Sequence, residues 1–232
     1  MICFLTSHFV YLCMDKIKTM SNQKNLTQRS AVIVANGRYP THPIPLSIIE
    51  EATYIICTDG AANHFIALDK IPHAIVGDGD SISDENKIKY ANILHIERDQ
   101  ECNDLTKSVR FAIAQGITDL TIVGGTGLRD DHTLGNISLL AEYLPLVNVK
   151  MVTNSGLFTP INRLSTFKSH KGEQVSIFAI DLEPITTEGL KYTIDSRILN
   201  NWWEGTLNES IGETFTVDTS GRALVFQVFV KK

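Results

Sequence analysis

The stretch LTIVGGTGLRDDHTLGNISLLAEYLPLVNVKMVTN, residues 120–154, decides the fold. It opens on an apolar run, breaks at Gly124 and Gly125, continues at helix length, and closes on a second apolar run. In the middle segment Leu134, Ile137, Ala141 and Leu144 recur at helical spacing. Strand, helix and strand in that order predict a parallel pair of strands joined by a helix.

The same alternation continues toward the N-terminus. AVIVANG (31–37), YIICTDG (54–60), HAIVGDG (73–79) and ILHIER (93–98) read as four earlier strands. Helix-sized segments separate them: SIIEEA, AANHFIALD, SDENKIKYAN and NDLTKSVRFAIAQG. The last carries its own apolar stripe of Leu105, Val109, Ala112 and Ile113. The fold class is therefore α/β, an N-terminal mainly parallel sheet flanked by helices on both faces.

After residue 160 the texture changes. QVSIFAI, LKYTID, ETFTVD and ALVFQVF are short β-rich pieces broken by Gly, Pro and Asn, with no convincing helix among them. They predict a smaller all-β sandwich domain over residues 160–232, following an α/β domain over 30–155. MICFLTSHFVYLCMDKIKTM (1–20) is too short and interrupted to span a bilayer and lacks the basic leader of a secretory signal. Residues 1–29 are expected to be a disordered or misassigned extension, with translation starting at Met14 or Met20.

The chain has 232 residues, 43% of them hydrophobic and 20% charged, with a net charge of −5. That balance argues against a general nucleic-acid partner, and no window predicts a membrane span. Cys3, Cys13, Cys57 and Cys102 show no CxxC spacing, as expected of a reduced, cytoplasmic protein. His64, His95 and His170 receive no role.

Ligands of open α/β sheets sit beyond the carboxyl ends of the strands. There this chain places Asp59, then Asp78 and Asp80, then Asp99, Gln100, Asp104 and Lys107, and finally Arg129, Asp131 and His132. Four consecutive strand exits carry carboxylates, and two of them also bring a cation. If the strand persists through GDGDS, Asp78 and Asp80 point the same way. A hard divalent cation such as Mg²⁺ would relieve their repulsion, although Asp and Gly also suit a plain solvated turn. Asp104 and Lys107 share a helix face away from the apolar stripe, as metal ligand and phosphate contact or as a surface ion pair. The glycines of GGTGLRDDH let backbone N–H groups approach an anion, with Arg129 available to a phosphate; Asp131 and His132 equally suit helix capping. Together these residues describe a magnesium-bound polyphosphate site.

TDGAAN, GDGDS, DQECNDLTK and GGTGLRDDH, followed by GLKY and GTLNES, occur in an order and spacing that resembles the thiamine pyrophosphokinases across residues 31–229. The resemblance implies transfer of the β,γ-pyrophosphoryl group of ATP to thiamine, giving thiamine pyrophosphate and AMP, with Mg²⁺. It also implies a homodimer whose active site lies where the catalytic domain of one subunit meets the β domain of the other. By motif, Asp59, Asp78, Asp80 and Asp104 would form the acidic metal centre. Asp78, Asp80, Asp104, Lys107 and Arg129 would serve catalysis, and Gln100, Lys107, Arg129, Asp131 and His132 would hold ATP. Asp59, Tyr192 and Asn208 would meet thiamine. The chain departs from the family pattern at Ala61, Asn103, Leu128 and Leu207, the last removing a hydroxyl near the expected thiamine pocket. Trp202 and Trp203 read as packing or interface aromatics. Two other readings remain: an Mg²⁺-dependent kinase or pyrophosphokinase acting on another small alcohol, and a non-catalytic thiamine or nucleotide sensor.

Overall fold

The structure, a computed structural model, describes residues 29–229. The expected N-terminal extension lies outside the described residues except for Arg29, whose carbonyl accepts from the backbone of Thr118 and Asp119. The first half alternates β1 (Ser30–Val34), α1 (Pro43–Glu50), β2 (Ile55–Thr58), α2 (Asp59–Ala67), β3 (Ala74–Gly77), α3 (Asp84–Lys89), β4 (Leu94–Ile96), α4 (Asp104–Ala114), β5 (Asp119–Val123), α5 (Asp130–Tyr143) and β6 (Asn148–Val152). Helix starts follow local chemistry. Asn103 caps α4 by accepting from the N–H of Thr106 at 2.9 Å, and Ser83 caps α3 in the same way. α1 begins four residues before the expected Ser47, because His42 supplies the cap and a proline occupies the first helical position.

The strands β4, β3, β2, β1, β5 and β6 lie side by side and parallel. β1 carries the two faces of this sheet in alternation. Ala31 and Ile33 pack with Leu105 and Val109 of α4 and Leu140 of α5. Val32 and Val34 pack with Ile49 of α1 and Phe65 of α2. Helices therefore cover both faces, as the near-continuous apolar strands require.

The second half adds β7 (Gly156–Ile161), β8 (Ser165–Lys168), β9 (Gln174–Ala179), β10 (Ile185–Glu188), a 3₁₀ turn at Trp202–Gly205, β11 (Asn208–Glu209), β12 (Thr214–Thr219) and β13 (Ala223–Val228). The change of texture after residue 155 is a change of direction rather than a break in the sheet. β7 pairs antiparallel with β6, and β13, β9 and β11 follow, so one ten-stranded sheet crosses the boundary. A three-stranded sheet, β10–β12–β8, packs on its antiparallel end. Phe167, Phe215, Val217 and Ile185 of the small sheet meet Val175, Ile177 and Val225 of the large one. Arg222 ties the halves together, reaching Glu142 of α5 and gripping Asp181 through Nε and Nη2.

Two expectations need correction. LKYTID (190–195) is not a strand: β10 lies just upstream, and Gly189, at φ +78°, turns the chain out of it. Leu134 is exposed, whereas Leu140, Ala141 and Tyr143 face the core. The first turns of α5 run past the strand ends, where His132, Thr133 and Asn136 line a cleft and no sheet lies beneath.

Phe215 is fully buried and stacks on Phe167 with ring centroids 4.9 Å apart. Phe215→Ala should cost about 3–5 kcal/mol, read as a lower denaturant midpoint. A loss below about 1 kcal/mol would mean that the small sheet does not depend on this stack.

Candidate functional site

The chain steps outward from β1 to β2, β3 and β4, then returns to the other side of β1 for β5. Such a reversal opens a crevice at the carboxyl ends of the strands. A cleft of about 420 Å³ lies there, walled by Asn36 and Gly37 after β1, Thr58 at the end of β2, Asp104 at the head of α4, and Gly125 and Arg129 between β5 and α5.

At one side of the cleft three carboxylates converge. Asp59, Asp78 and Asp104 each offer an oxygen within 4.8 Å of the others. The chain makes room for this crowding at Gly77, where a Cβ would fall 2.5 Å from the Cβ of Asp59 and 3.2 Å from the carboxyl carbon of Asp104. Asp59 is wholly buried. Its Oδ2 accepts the N–H of Ser81 at 2.9 Å, but its Oδ1 has no partner. Burial, more than anything else, pushes its pKa up; the Ser81 bond opposes this, and the charges of Asp104, Asp78 and Asp80 add to it.

Lys107 supplies the only buried cation among the described residues, with 2% of its surface exposed. Its Nζ lies 3.0 Å from Asp104 Oδ1 and 3.8 Å from Asp78 Oδ2. Burial disfavours its charge, but the hydrogen bond to Asp104 and the two nearby carboxylates outweigh that and raise its pKa. The pair is thus no surface ion pair. Three carboxylates against one ammonium leave two negative charges, the amount a divalent cation cancels. An all-carboxylate donor set with an unpartnered buried oxygen suits a hard dication such as Mg²⁺. Asp59, Asp78 and Asp104 are the residues that would hold it.

The strand does not persist through GDGDS. β3 ends at Gly77 and Gly79 turns at φ +83°, so Asp80 leaves the trio for the exposed rim. There it accepts from the Ser81 hydroxyl at 3.0 Å, while its own N–H points back to Asp78 Oδ1 at 3.3 Å. That backbone bond is the largest influence holding the pKa of Asp78 down. Gln100 reaches Asp78 at 3.5 Å. Across the cleft the exposed Arg129 is paired with Asp131, Nε to Oδ1 at 3.1 Å. The hydrogen bond from Arg129 is the main cause lowering the pKa of Asp131 to about 2. Asp131 also accepts the N–H of His132, which lines the cleft.

Tyr192 and Asn208 lie elsewhere. Asn208 is buried on β11, at the far edge of the large sheet. Its carboxamide is committed to the chain: Oδ1 accepts from the N–H groups of Tyr192 and Glu209, and Nδ2 donates to the Tyr192 carbonyl at 2.7 Å. Tyr192 is thereby held with its ring exposed. Leu207 stands beside it, exposed and at φ +60°. Trp202 meets Phe178 edge-on at 5.9 Å, and both Trp202 and Trp203 are exposed, so burial within this chain is not their role. Reading the strand exits for charge passes over Asn36 and Thr58, because neither carries one; the polar Asn36 in VANG at the first exit is the signal that could have found that wall.

Two family models match the chain. The one described as Thiamin pyrophosphokinase, catalytic domain, spans residues 46–152, and the one described as Thiamin pyrophosphokinase, substrate-binding domain, spans 156–226. Among curated relatives, Thiamin pyrophosphokinase 1 of Caenorhabditis elegans is 33% identical over 103 residues, which are 40% of this chain and 42% of that protein. Thiamine pyrophosphokinase 1 of Oryza sativa subsp. japonica is 27% identical over 197 residues, 72% of this chain and 74% of the relative. The crystal structure of thiamine pyrophosphokinase from Bacillus subtilis shares the fold with a TM-score of 0.74 at 20% identity, over 88% of this chain and all of that one. Thiamin pyrophosphokinase from Candida albicans does so with a TM-score of 0.73, also at 20% identity, over 88% of this chain and 90% of the other.

The raised pKa of Asp59 fixes the sign of a stability effect. The folded, metal-free protein holds this proton more tightly than the unfolded chain, where an aspartate titrates near about 3.9. Stability is therefore lost as pH rises from there through the folded value. Asp59→Asn should raise the melting temperature in EDTA at pH 7 by about 2–4 °C and shrink the gain that Mg²⁺ gives the wild type. A variant less stable than the wild type, with an undiminished Mg²⁺ response, would contradict this account.

Proposed function

Because the chain belongs to the thiamin pyrophosphokinase family, we propose that it transfers the β,γ-pyrophosphoryl group of ATP to the hydroxyl of thiamine, releasing thiamine pyrophosphate and AMP. The observation that carries this reading is the carboxylate trio, built on the buried Asp59 beside the buried Lys107, opening on a cleft of nucleotide size at the reversal point of the sheet. A sensor without catalysis is expected to lack the acidic centre, and Asp59, Asp78, Asp80 and Asp104 are all present.

The thiamine oxygen attacks the β-phosphorus as the bond from that phosphorus to the α-bridging oxygen breaks, and AMP departs with the electron pair. Mg²⁺, when held by Asp59, Asp78 and Asp104, supplies charge neutralisation for the polyphosphate. Lys107 keeps the carboxylates together and presents its remaining donor capacity to the phosphates. Arg129 exchanges Asp131 for phosphate oxygens, and Gln100 and His132 border the path of the chain. Asp78 accepts from the N–H of Asp80 and from Gln100, lies near Lys107 and would also hold the metal, which disfavours it as a proton acceptor. Asp80 stands at the exposed rim beside Asp78, where it accepts from the Ser81 hydroxyl, and this position favours it as acceptor of the thiamine proton.

The thiamine contact comes from a second copy of the chain. Asn208 and Tyr192 are separated from Asp78 by the steps from β11 to β3 across the sheet. At about 4.8 Å per strand this is roughly 38 Å, far longer than thiamine. A homodimer that sets the β11 edge of one subunit against the cleft of its partner closes that gap. The exposed Tyr192, Trp202, Trp203 and Leu207 at this edge support such an interface. The free, buried thiol of Cys57 supports placement in a reducing compartment such as the cytoplasm, and among the described residues no helix is long and apolar enough to cross a membrane.

Incubation with ATP, Mg²⁺ and thiamine should yield AMP and not ADP, and replacing thiamine by a pterin or a nucleoside should yield neither. Asp80→Asn should lower kcat at least about 100-fold with an unchanged melting temperature; near-normal turnover removes Asp80 from the chemistry. Inactive Asp78→Ala and Tyr192→Ala proteins, unfolded and refolded together, should regain about a quarter of wild-type activity, since half the dimers then hold one intact site. No recovery would place each site within one chain.

A further inference from the structure

We infer that Asn36 is a further nucleotide-binding residue, its side-chain NH₂ donating to a phosphate oxygen of ATP. The inference rests on the nucleotide cleft of the proposed function and adds a contact from β1, whose exit bears no carboxylate.

Asn-Gly after a strand would by itself suit a turn. What sets Asn36 apart is where its side chain is kept. The carboxamide lies directly over Gly60, in the first turn of α2: a Cβ on Gly60 would fall 2.2 Å from Nδ2 and 2.8 Å from the carboxamide carbon. Only a glycine at position 60 leaves that space, and position 60 adjoins Asp59 of the carboxylate trio. The carboxamide so placed makes no hydrogen bond among the described residues, and Asn36 lines the cleft. Asn36 is exposed to the cleft, and Thr58, on the same wall, is buried. It occupies the N-cap position of α2, yet its hydroxyl caps nothing and has no partner, although the residue is 2% exposed. An exposed carboxamide on the first strand exit and a buried, unpartnered hydroxyl on the next thus face a site built for a polyanion. A donor there completes a third side of the phosphate channel, between the carboxylate trio and Arg129.

The choice of donor rather than acceptor follows from charge. An amide oxygen turned toward phosphate meets only other acceptors, whereas the NH₂ group gains a charge-assisted bond. Conversion to a carboxylate at this point places a further negative charge beside three existing ones.

Affinity for the Mg²⁺ complex of α,β-methylene ATP, whose α–β linkage resists cleavage, tests this by calorimetric titration of the full chain. Asn36→Ala should weaken binding about tenfold, and Asn36→Asp should weaken it further. Both variants should keep the wild-type melting temperature without ligand and the wild-type KM for thiamine. Asn36→Ala binding within twofold of wild type, or Asn36→Asp binding more tightly, overturns the inference. A wild type that binds the analogue but forms no AMP from thiamine defeats the functional reading alone. A wild type that binds no nucleotide defeats both.

Discussion

The arrangement depends on one uncomfortable fact: Asp59 is buried with one carboxylate oxygen unpartnered, among two more carboxylates and a single ammonium. Burying charge without full compensation is costly, and a fold keeps such a group only when something else repays it. Several local features serve to maintain it. Gly77 yields the space that a side chain would fill, Ser81 gives one backbone bond, and Lys107 is drawn out of solvent to meet Asp104 and Asp78. Each is explicable once a dication and a polyphosphate complete the charge balance, and none is explicable by stability alone.

The same logic runs through the cleft walls. Arg129 is parked on Asp131, an exposed partner it can leave at little cost, because a surface ion pair is worth roughly 0–1 kcal/mol. The buried hydroxyl of Thr58 has no partner to leave, and the exposed Asn36 makes no protein hydrogen bond to break. The cleft is therefore graded, from rigid and uncompensated around Asp59 to exposed and exchangeable around Arg129. That gradient suits a ligand whose phosphate end must be held in register while its nucleoside end enters and departs.

The continuous sheet sets the other constraint. A single ten-stranded layer carries the carboxylates near one edge and Tyr192 at the other, and the Arg222 clamp between Glu142 and Asp181 binds α5 to the antiparallel end. A hinge that folded one half over the other would have to tear backbone ladders between β6 and β7, so bending within a chain is not an available way to bring the two regions together. The separation is built in, and a second copy is the economical way across it.

Much of this was legible in the sequence. Short apolar runs and period-3.6 stripes placed six parallel strands and their helices, because burial of apolar faces is a local constraint repeated many times. The strand-exit rule found Asp59, Asp78, Asp104, Lys107 and Arg129, because polar residues at those points are visible without knowing the neighbours. Other features depended on position in space. Helical projection set Lys107 apart from the apolar stripe and missed its burial, since the carboxylates that draw it inward come from other loops. A positive φ at Gly79 sent Asp80 to the rim, and another at Gly189 ended β10 where alternation promised a further strand. That the carboxamide of Asn208 also fixes the backbone of Tyr192 is visible only in space. The sequence by itself determined the order of strands and helices and which polar groups would stand at the strand ends. Only the tertiary structure decided which of those groups meet, because contacts between loops are set by how strands are ordered across a sheet, and that order is written in no single segment.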